Sequence, residues 1–323
     1  MNLDTRTSPS GSGLYPGIAP HRTGMLETGD GHELYWEVCG NPQGKAAVFL
    51  HGGPGGSCQP DHRRLFDPSH YRIVLFDQRG SGKSRPKGSL ENNTTAHLVA
   101  DMELLREHLE IDDWLVLGGS WGAALALAYA QAHPARVRAM VLRGTFTARQ
   151  EEVDWLYKFG ASSLFPEAWQ KFLAPVPLEE RGDLVAAYHR RLTDPDEYLQ
   201  REYAGAWCAW ESVLLTMKPR PARTPSPATP GELALARIEA HYFVNGSFLD
   251  EGQLLKNAGR LAGIPGVAVQ GRYDVITPAR TAHELCQIWT GCRLEIVPDA
   301  GHATSEPGIL AALVRATDGF RGV

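Results

Sequence analysis

Short, almost continuous apolar segments recur along the chain, and each is followed by a polar or glycine-rich segment. Strands that are buried on both faces of a parallel sheet have this pattern, because neither face meets water. A more alternating segment follows a Gly-Asp-Gly turn at residues 29–31 and predicts an opening antiparallel hairpin. The predicted strands cover residues 33–39, 46–50, 72–76, 115–117, 138–142, 267–270 and 293–297.

Segments with helical periodicity lie between these strands. Residues 94–109 carry leucine and methionine at helical spacing after two threonines that suit an N-cap. Further helices are predicted at residues 123–133, 278–289 and 307–320. The alternation of strand and helix predicts an α/β fold whose mostly parallel central sheet is flanked by helices.

The pattern changes between residues 146 and 256, where tryptophan, tyrosine and phenylalanine fall in polar, helix-like segments without a convincing strand. We interpret this part as a helical cap inserted into the sheet domain, with a Pro-rich loop at residues 218–230. The core is then predicted to comprise residues 14–145 and 257–323. The polar residues 1–13 are predicted to be disordered.

Composition excludes several classes of protein. The 323 residues carry a formal net charge of −5, which gives no reason to expect nucleic acid or an anionic membrane as a partner. The N-terminus lacks the apolar segment of a signal peptide, and no apolar segment is long enough to cross a bilayer. We predict a cytoplasmic protein, and the sequence leaves its oligomeric state open.

The five cysteines are odd in number, widely scattered and free of C-x-x-C pairs. This distribution speaks against both a disulfide framework and a zinc site, and it favours a reducing compartment. The cysteines are Cys39, Cys58, Cys208, Cys286 and Cys292.

The strongest chemical signal is the sequence Gly-Gly-Ser-Trp-Gly at residues 118–122, which follows a predicted strand and precedes a predicted helix. In this context G-x-S-x-G is a nucleophile elbow, in which glycines allow a sharp turn that exposes the serine hydroxyl. Ser120 is therefore a candidate nucleophile for acyl transfer.

A serine nucleophile needs a base and a group that orients the base. In this kind of fold the order is Ser, then Asp or Glu, then His. Asp274 follows the strand at residues 267–270, and His302 follows the strand at residues 293–297. Because parallel strands end at the same edge of a sheet, Asp274 and His302 are expected to meet Ser120 there.

Other assignments remain open from the residues alone. Asp274 is also a candidate helix N-cap, because a helix is predicted to begin at Pro278, and Asp299 is a second candidate acid. The alternative bases are His51, His133, His241 and His283.

The oxyanion of acyl transfer needs hydrogen-bond donors. The sequence His-Gly-Gly-Pro-Gly-Gly at residues 51–56 follows a strand and offers bare backbone amides. It lacks the lysine and hydroxyl residue of a phosphate-binding P-loop. The predicted oxyanion hole pairs the amide of Gly53 with that of Trp121, and Gly52 is the alternative to Gly53.

With these motifs in view, residues 14–321 resemble the prolyl aminopeptidases (proline iminopeptidases) of the α/β-hydrolase superfamily. The resemblance implies Ser120, Asp274 and His302 as a catalytic triad, and release of an N-terminal proline from peptides without metal or cofactor. The matching motifs are HGGPGG at residues 51–56, DQRGSGKS at 77–84, NTT at 93–95, GGSWG at 118–122, QGRYD at 270–274 and AGH at 300–302.

The resemblance extends to the cap, where it implies that Glu211 and Glu239 bind the free amino terminus of the substrate. From the residues alone, ordinary salt bridges are the favoured interpretation of these glutamates. The resemblance also implies that Arg143, Phe146 and Phe243 border the substrate pocket.

Two positions depart from the family pattern. Related enzymes often have an aromatic residue at the position of Leu156 and a cysteine near the position of Ile276. Both positions are expected near the pocket that binds the proline ring of the substrate. Loss of an aromatic wall weakens the preference for proline without changing the hydrolytic groups.

Two other functions remain alternatives. An esterase or amidase for other small acyl groups would use the same triad, but a neutral acyl group needs no pair of glutamates. A ligand-binding protein without turnover would need neither an acid nor a base beside Ser120.

Overall fold

A computed structural model describes residues 13–218 and 226–323. These residues form a sheet of eight strands in the order β1-β2-β4-β3-β5-β6-β7-β8. The strands are β1 (Arg22–Glu27), β2 (Glu33–Gly40), β3 (Lys45–Leu50), β4 (Tyr71–Phe76), β5 (Trp114–Ser120), β6 (Val137–Thr145), β7 (Gly266–Gly271) and β8 (Cys292–Val297).

The sheet is mostly parallel, as the sequence predicted. β1 and β2 form the predicted antiparallel hairpin, and β2 also runs antiparallel to β4. Every other neighbouring pair is parallel. The loops after β3, β5, β7 and β8 therefore lie at the same edge of the sheet.

Helices cover both faces of the sheet and continue between β6 and β7. The α-helices are α1 (Thr95–His108), α2 (Trp121–Ala132), α3 (Gln150–Tyr157), α4 (Ala161–Leu164), α5 (Pro166–Leu173), α6 (Leu184–Leu192), α7 (Glu197–Leu214), α8 (Pro230–Val244), α9 (Gln253–Lys256), α10 (Ala279–Ile288) and α11 (Pro307–Gly319). Short 3-10 helices lie at Pro60–Leu65, Pro134–Arg136, Leu178–Glu180, Gly246–Phe248 and Ala258–Leu261.

Burial on both faces explains the apolar character of the central strands. In β3, Val48 and Leu50 belong to the cluster that contains Trp121 of α2. Ala47 and Phe49 face the other way, into the cluster that contains residues of α11. Alternate residues of one strand thus enter different cores, and both sets must be apolar.

Between β6 and β7 the described residues form helices and turns without a strand. Their aromatic side chains form a core of stacked rings, such as Phe172 on Tyr188 at 4.4 Å between centroids. The predicted boundaries of core and cap stay a prediction. Residues 219–225 of the predicted Pro-rich loop and residues 1–12 of the predicted disordered N-terminus lie outside the described residues.

A disulfide joins Cys286 of α10 to Cys292 of β8, while Cys39 and Cys58 are free thiols. The number and spacing of the cysteines did not predict this pair, because a helix and a turn bring the two residues together. Within residues 13–218 and 226–323, none of the helices combines the length and hydropathy that a membrane span requires.

Candidate active site

Ser120 lies where β5 passes directly into α2, with φ 58° and ψ −124°. Two glycines make this sharp turn sterically feasible. A Cβ at Gly118 would lie 2.1 Å from the carbonyl oxygen of Gly122, and a Cβ at Gly122 would lie 2.1 Å from that of Leu50. The helix consequently begins two residues earlier than predicted and holds Ser120 at the end of the strand.

Ser120 faces a cavity of about 400 Å³ between the carboxyl edge of the sheet and helices α3, α7 and α8. The cavity brings together residues that are far apart in the sequence. Each residue that was predicted to bind substrate lines it, and so do both positions that depart from the family pattern. These lining residues are Arg143, Phe146, Glu211, Glu239, Phe243, Leu156 and Ile276.

His302 and Asp274 are buried and lie in contact at the edge of this cavity, with 2.8 Å between His302 Nδ1 and Asp274 Oδ2. Thr277 Oγ1 and Gln270 Nε2 donate to the same carboxylate oxygen at 2.9 and 3.0 Å. The other oxygen accepts the amide hydrogens of Thr277 and Ile276. The N-cap of α10 is Pro278, so Asp274 is not the cap of that helix.

The pKa values of this pair follow from its contacts. Burial raises the pKa of Asp274, but the His302 imidazole and the donors from Thr277 outweigh burial, and the pKa lies below its usual value. Burial lowers the pKa of His302, and the charge of Arg143 lowers it further against the opposing effect of Asp274. The pair is therefore a carboxylate beside a neutral imidazole at neutral pH.

The other nitrogen of His302 contacts Arg143. Arg143 Nη1 lies 2.9 Å from His302 Nε2 and donates to the His302 carbonyl oxygen at 3.2 Å. Burial lowers the pKa of Arg143 to about 10, so the guanidinium stays charged at neutral pH. The described residues include no hydrogen bond from Ser120 to His302. The structure thus pairs His302 with Asp274 and Arg143, while Ser120 lines the same cavity.

The glycine-rich loop after β3 packs against Ser120. A Cβ at Gly52 would lie 3.2 Å from the Cβ of Ser120, and Gly53 has φ +112°, which favours glycine. Among the described residues the amide of Gly53 has no hydrogen-bond acceptor. Trp121 is the first residue of α2, a position where the amide has no acceptor within the helix.

Glu211 of α7 and Glu239 of α8 both line the side of the cavity formed by these helices, and Glu239 is buried while Glu211 is half-buried. Tyr157 donates its hydroxyl hydrogen to Glu211, and Trp207 Nε1 donates to Glu239 Oε2 at 2.8 Å. Burial raises the pKa of Glu211. Burial and the neighbouring charge of Glu211 raise the pKa of Glu239 well above its usual value. The cavity thus contains an anionic or proton-sharing site with aromatic surroundings.

Sequence reasoning did not assign a role to several residues that hold the site together. Tyr157 and Trp207 orient the two glutamates, and their rings stack at 4.5 Å. Thr277 and Gln270 hold the carboxylate of Asp274. The QGRYD motif contains Gln270, but no sequence pattern shows that a tyrosine of α3 reaches a glutamate of α7.

Comparison with known proteins supports the same fold and family. The family model described as the alpha/beta hydrolase fold matches residues 46–308. The chain is 52% identical over 309 residues to the proline iminopeptidase of Xylella fastidiosa, covering 95% of this chain and 99% of that protein. It is 49% identical over 313 residues to the proline iminopeptidase of Arabidopsis thaliana, covering 96% of this chain and 82% of that protein.

A solved structure with the same fold is an esterase from Exiguobacterium antarcticum. It matches with a TM-score of 0.63 and 17% identity, covering 94% of this chain and 100% of the esterase. At this identity the structural match supports the fold alone, whereas the two sequence relatives extend over nearly the whole chain. The chain belongs to the proline iminopeptidase family of the α/β-hydrolase fold.

Proposed function

We propose that this protein is a serine aminopeptidase that releases the N-terminal proline of peptides. The observation that carries the proposal is the pair of Glu239, which is buried, and Glu211, which is half-buried, in the same cavity as Ser120 and His302. A protonated amine that enters a closed cavity needs carboxylate partners to offset its loss of hydration. The relatives named proline iminopeptidase support the same activity.

In the proposed mechanism, Ser120 Oγ attacks the carbonyl carbon of the N-terminal residue, and its proton passes to His302 Nε2. The C–N bond breaks as His302 returns that proton to the leaving amine. Water then attacks the acyl-enzyme and gives a proton to His302, which returns it to Ser120 as proline is released. Asp274 keeps the proton of His302 on Nδ1, and the amides of Gly53 and Trp121 stabilise the oxyanion.

Substrate recognition is proposed to use both walls of the cavity. Glu211 and Glu239 bind the ammonium group of the substrate, while Phe146 and Phe243, whose ring centroids are 6.1 Å apart, contact the proline ring. Leu156 and Ile276 complete an apolar wall of the cavity, in which Leu156 stands where the family resemblance leads us to expect an aromatic residue. We therefore expect peptides with other small apolar N-terminal residues to be hydrolysed, but more slowly than peptides that begin with proline.

The proposal includes a cytoplasmic location, for which the scattered cysteines of the sequence speak and the Cys286–Cys292 disulfide does not. The substrates are peptides with a free N-terminal proline. The proposed reaction involves no metal, cofactor, nucleic acid or membrane.

Hydrolysis of three compounds tests the proposed activity. We expect the protein to cleave proline β-naphthylamide at least about 100-fold more efficiently than its N-acetylated form, because acetylation removes the charge that the glutamates bind. We also expect little cleavage of 4-nitrophenyl acetate. The measurement is kcat/KM for each compound at one pH.

Equal turnover of the blocked and free compounds would contradict amine recognition by Glu211 and Glu239. Faster turnover of the acetate ester would instead favour the alternative of an esterase with the same triad. Binding without turnover of all three would favour a ligand-binding protein.

Replacement of Arg143 is expected to change the pH dependence of Ser120 reactivity. The charge of Arg143 lowers the pKa of His302, so Arg143→Met should raise that pKa and move the acid limb to higher pH. The measurement is the rate of inactivation by a fluorophosphonate between pH 4 and 9. This reagent needs no amine recognition, so titration of the glutamates does not enter the profile.

Arg138→Met is the matched control, because Arg138 lies on the same strand and pairs with Asp113. This variant should keep the profile of the unmodified protein. An acid limb that stays in place or moves to lower pH in Arg143→Met would contradict the proposed influence of Arg143 on the base.

A further inference from the structure

Gln78 connects the two segments that supply the proposed oxyanion donors. It is buried in the loop after β4 and belongs to the DQRGSGKS motif. Its Oε1 accepts the indole hydrogen of Trp121 at 3.0 Å, and its Nε2 donates to the carbonyl oxygen of His51 at 2.9 Å. The amide side chain thus uses one acceptor and one donor, and each contacts one of the two segments that supply the proposed oxyanion donors.

A third contact of Gln78 fixes the protonation of His51. The backbone amide of Gln78 donates to His51 Nε2 at 2.9 Å, so this nitrogen carries the lone pair. The proton of the neutral ring then lies on Nδ1, which is 2.9 Å from the carbonyl oxygen of Gly52. Burial lowers the pKa of His51, which favours this neutral form. With both nitrogens occupied, His51 is a structural group and not a base for Ser120.

These contacts determine where the amides of the glycine-rich loop point. In a planar trans peptide the N–H group points opposite to the C=O group. Gln78 holds the carbonyl of His51, which directs the amide of Gly52. His51 Nδ1 and the amide of Gly56, at 3.1 Å, hold the carbonyl of Gly52, which directs the amide of Gly53.

We propose that Gln78 is a positioning residue that aligns both halves of the oxyanion hole, through His51 on the glycine-rich loop and through the indole of Trp121 beside the nucleophile. This inference rests on the proposed function. It also accounts for the type of residue at position 78, because the site needs a donor and an acceptor on one side chain. A glutamate would place a carboxylate oxygen against the carbonyl of His51, and an apolar side chain would offer neither group.

The test is Gln78→Met, which keeps the volume and removes both side-chain hydrogen bonds. Gln131→Met is the matched control, since Gln131 is also buried and donates to the carbonyl oxygen of Leu254 at 2.7 Å, in a contact that involves neither oxyanion segment. Each variant is assayed for kcat and KM with proline β-naphthylamide. Affinity is measured for proline and for the boronic acid analogue of proline, whose tetrahedral adduct with Ser120 places an oxygen in the oxyanion hole.

We expect Gln78→Met to lower kcat about 10- to 100-fold with KM changed by less than about threefold, because misaligned donors weaken only the transition state. The affinity for the boronic acid should fall by a similar factor, and that for proline should stay unchanged. Gln131→Met should leave kcat, KM and the affinities for proline and for the boronic acid unchanged. Trp121→Phe, which removes the indole donor to Gln78 together with part of the buried ring, should give the same pattern with a smaller loss, and it provides the test if Gln78→Met does not fold.

An unchanged kcat, or equal losses of affinity for the boronic acid and for proline, would overturn the role of Gln78. Failure of the proposed function would look different, because the unmodified protein would then not hydrolyse proline β-naphthylamide. An active unmodified protein with an unaffected Gln78→Met variant would contradict only the inference about Gln78.

Discussion

Ser120→Ala is expected to lower kcat for proline β-naphthylamide by about 10⁴- to 10⁶-fold, because the proposed mechanism has no other group that forms the acyl-enzyme. Folding should be unaffected. Alanine has the same Cβ as serine, so the turn at φ 58° carries the same steric cost in both proteins. Steady-state kinetics and thermal unfolding of the two proteins check both expectations.

Ser212→Ala is the matched control for the nucleophile. Ser212 lines the same cavity, but its hydroxyl donates to the carbonyl oxygen of Ala209 in its own helix at 2.9 Å. We expect its kcat to stay within about threefold of the unmodified protein. A fluorophosphonate should label Ser120 and leave Ser212 unlabelled. Substantial activity that survives in Ser120→Ala would refute the assignment of the nucleophile.

Glu239→Gln is expected to lower kcat/KM for the free-amine substrate by about 100- to 1000-fold, because a buried ammonium group would lose a charged partner. The amide oxygen of glutamine still accepts the hydrogen of Trp207 Nε1, so the local packing is kept. Glu202→Gln is the control, since Glu202 is exposed on α7, the helix that carries Glu211. Glu211→Gln should behave like Glu239→Gln.

Glu239→Gln is expected to increase the stability of the protein at high pH, although it lowers the activity. The pKa of Glu239 is raised in the folded protein, so the stability it contributes is present below the unfolded-state pKa of about 4.3 and is lost as the pH rises through the folded value. Glutamine does not titrate. At pH 8 we therefore expect Glu239→Gln to be more stable than the unmodified protein.

Chemical unfolding at pH 5 and pH 8 measures this difference. The free energy of unfolding should fall more between these pH values for the unmodified protein than for Glu239→Gln. Two results would contradict the proposal that Glu239 lowers stability at high pH but is kept because it binds substrate. One is a Glu239→Gln variant that is as active as the unmodified protein, and the other is a variant that is less stable than the unmodified protein at pH 8.

The resting contact between Arg143 and His302 has a consequence for catalysis. A hydrogen bond from Arg143 Nη1 occupies the lone pair of His302 Nε2 that must accept the proton of Ser120. The proposed mechanism therefore requires the guanidinium to leave this nitrogen when substrate binds. The family resemblance implies that Arg143 borders the pocket, but it contains no signal for a contact with the base.

The local features of the site were predictable because they depend on neighbours in the sequence. The elbow at Ser120 needs a strand, a helix and two glycines within a few residues, and all are visible in the chain. The positions of Asp274 and His302 followed from the rule that parallel strands end at one edge of the sheet. The start of α2 was placed two residues late, because a strand that passes directly into a helix leaves no loop signal in the sequence.

The sequence by itself determined the fold class, the succession of strands and helices along the core segments, and the candidate nucleophile, acid and base, since periodicity, glycine positions and motif order encode them locally. Only the tertiary structure decided which side chains orient these groups. Tyr157 and Trp207 reach the glutamates, Gln78 joins His51 to Trp121, and Arg143 contacts His302. These contacts join residues that are distant in the chain, so their geometry depends on how helices and loops pack over the sheet.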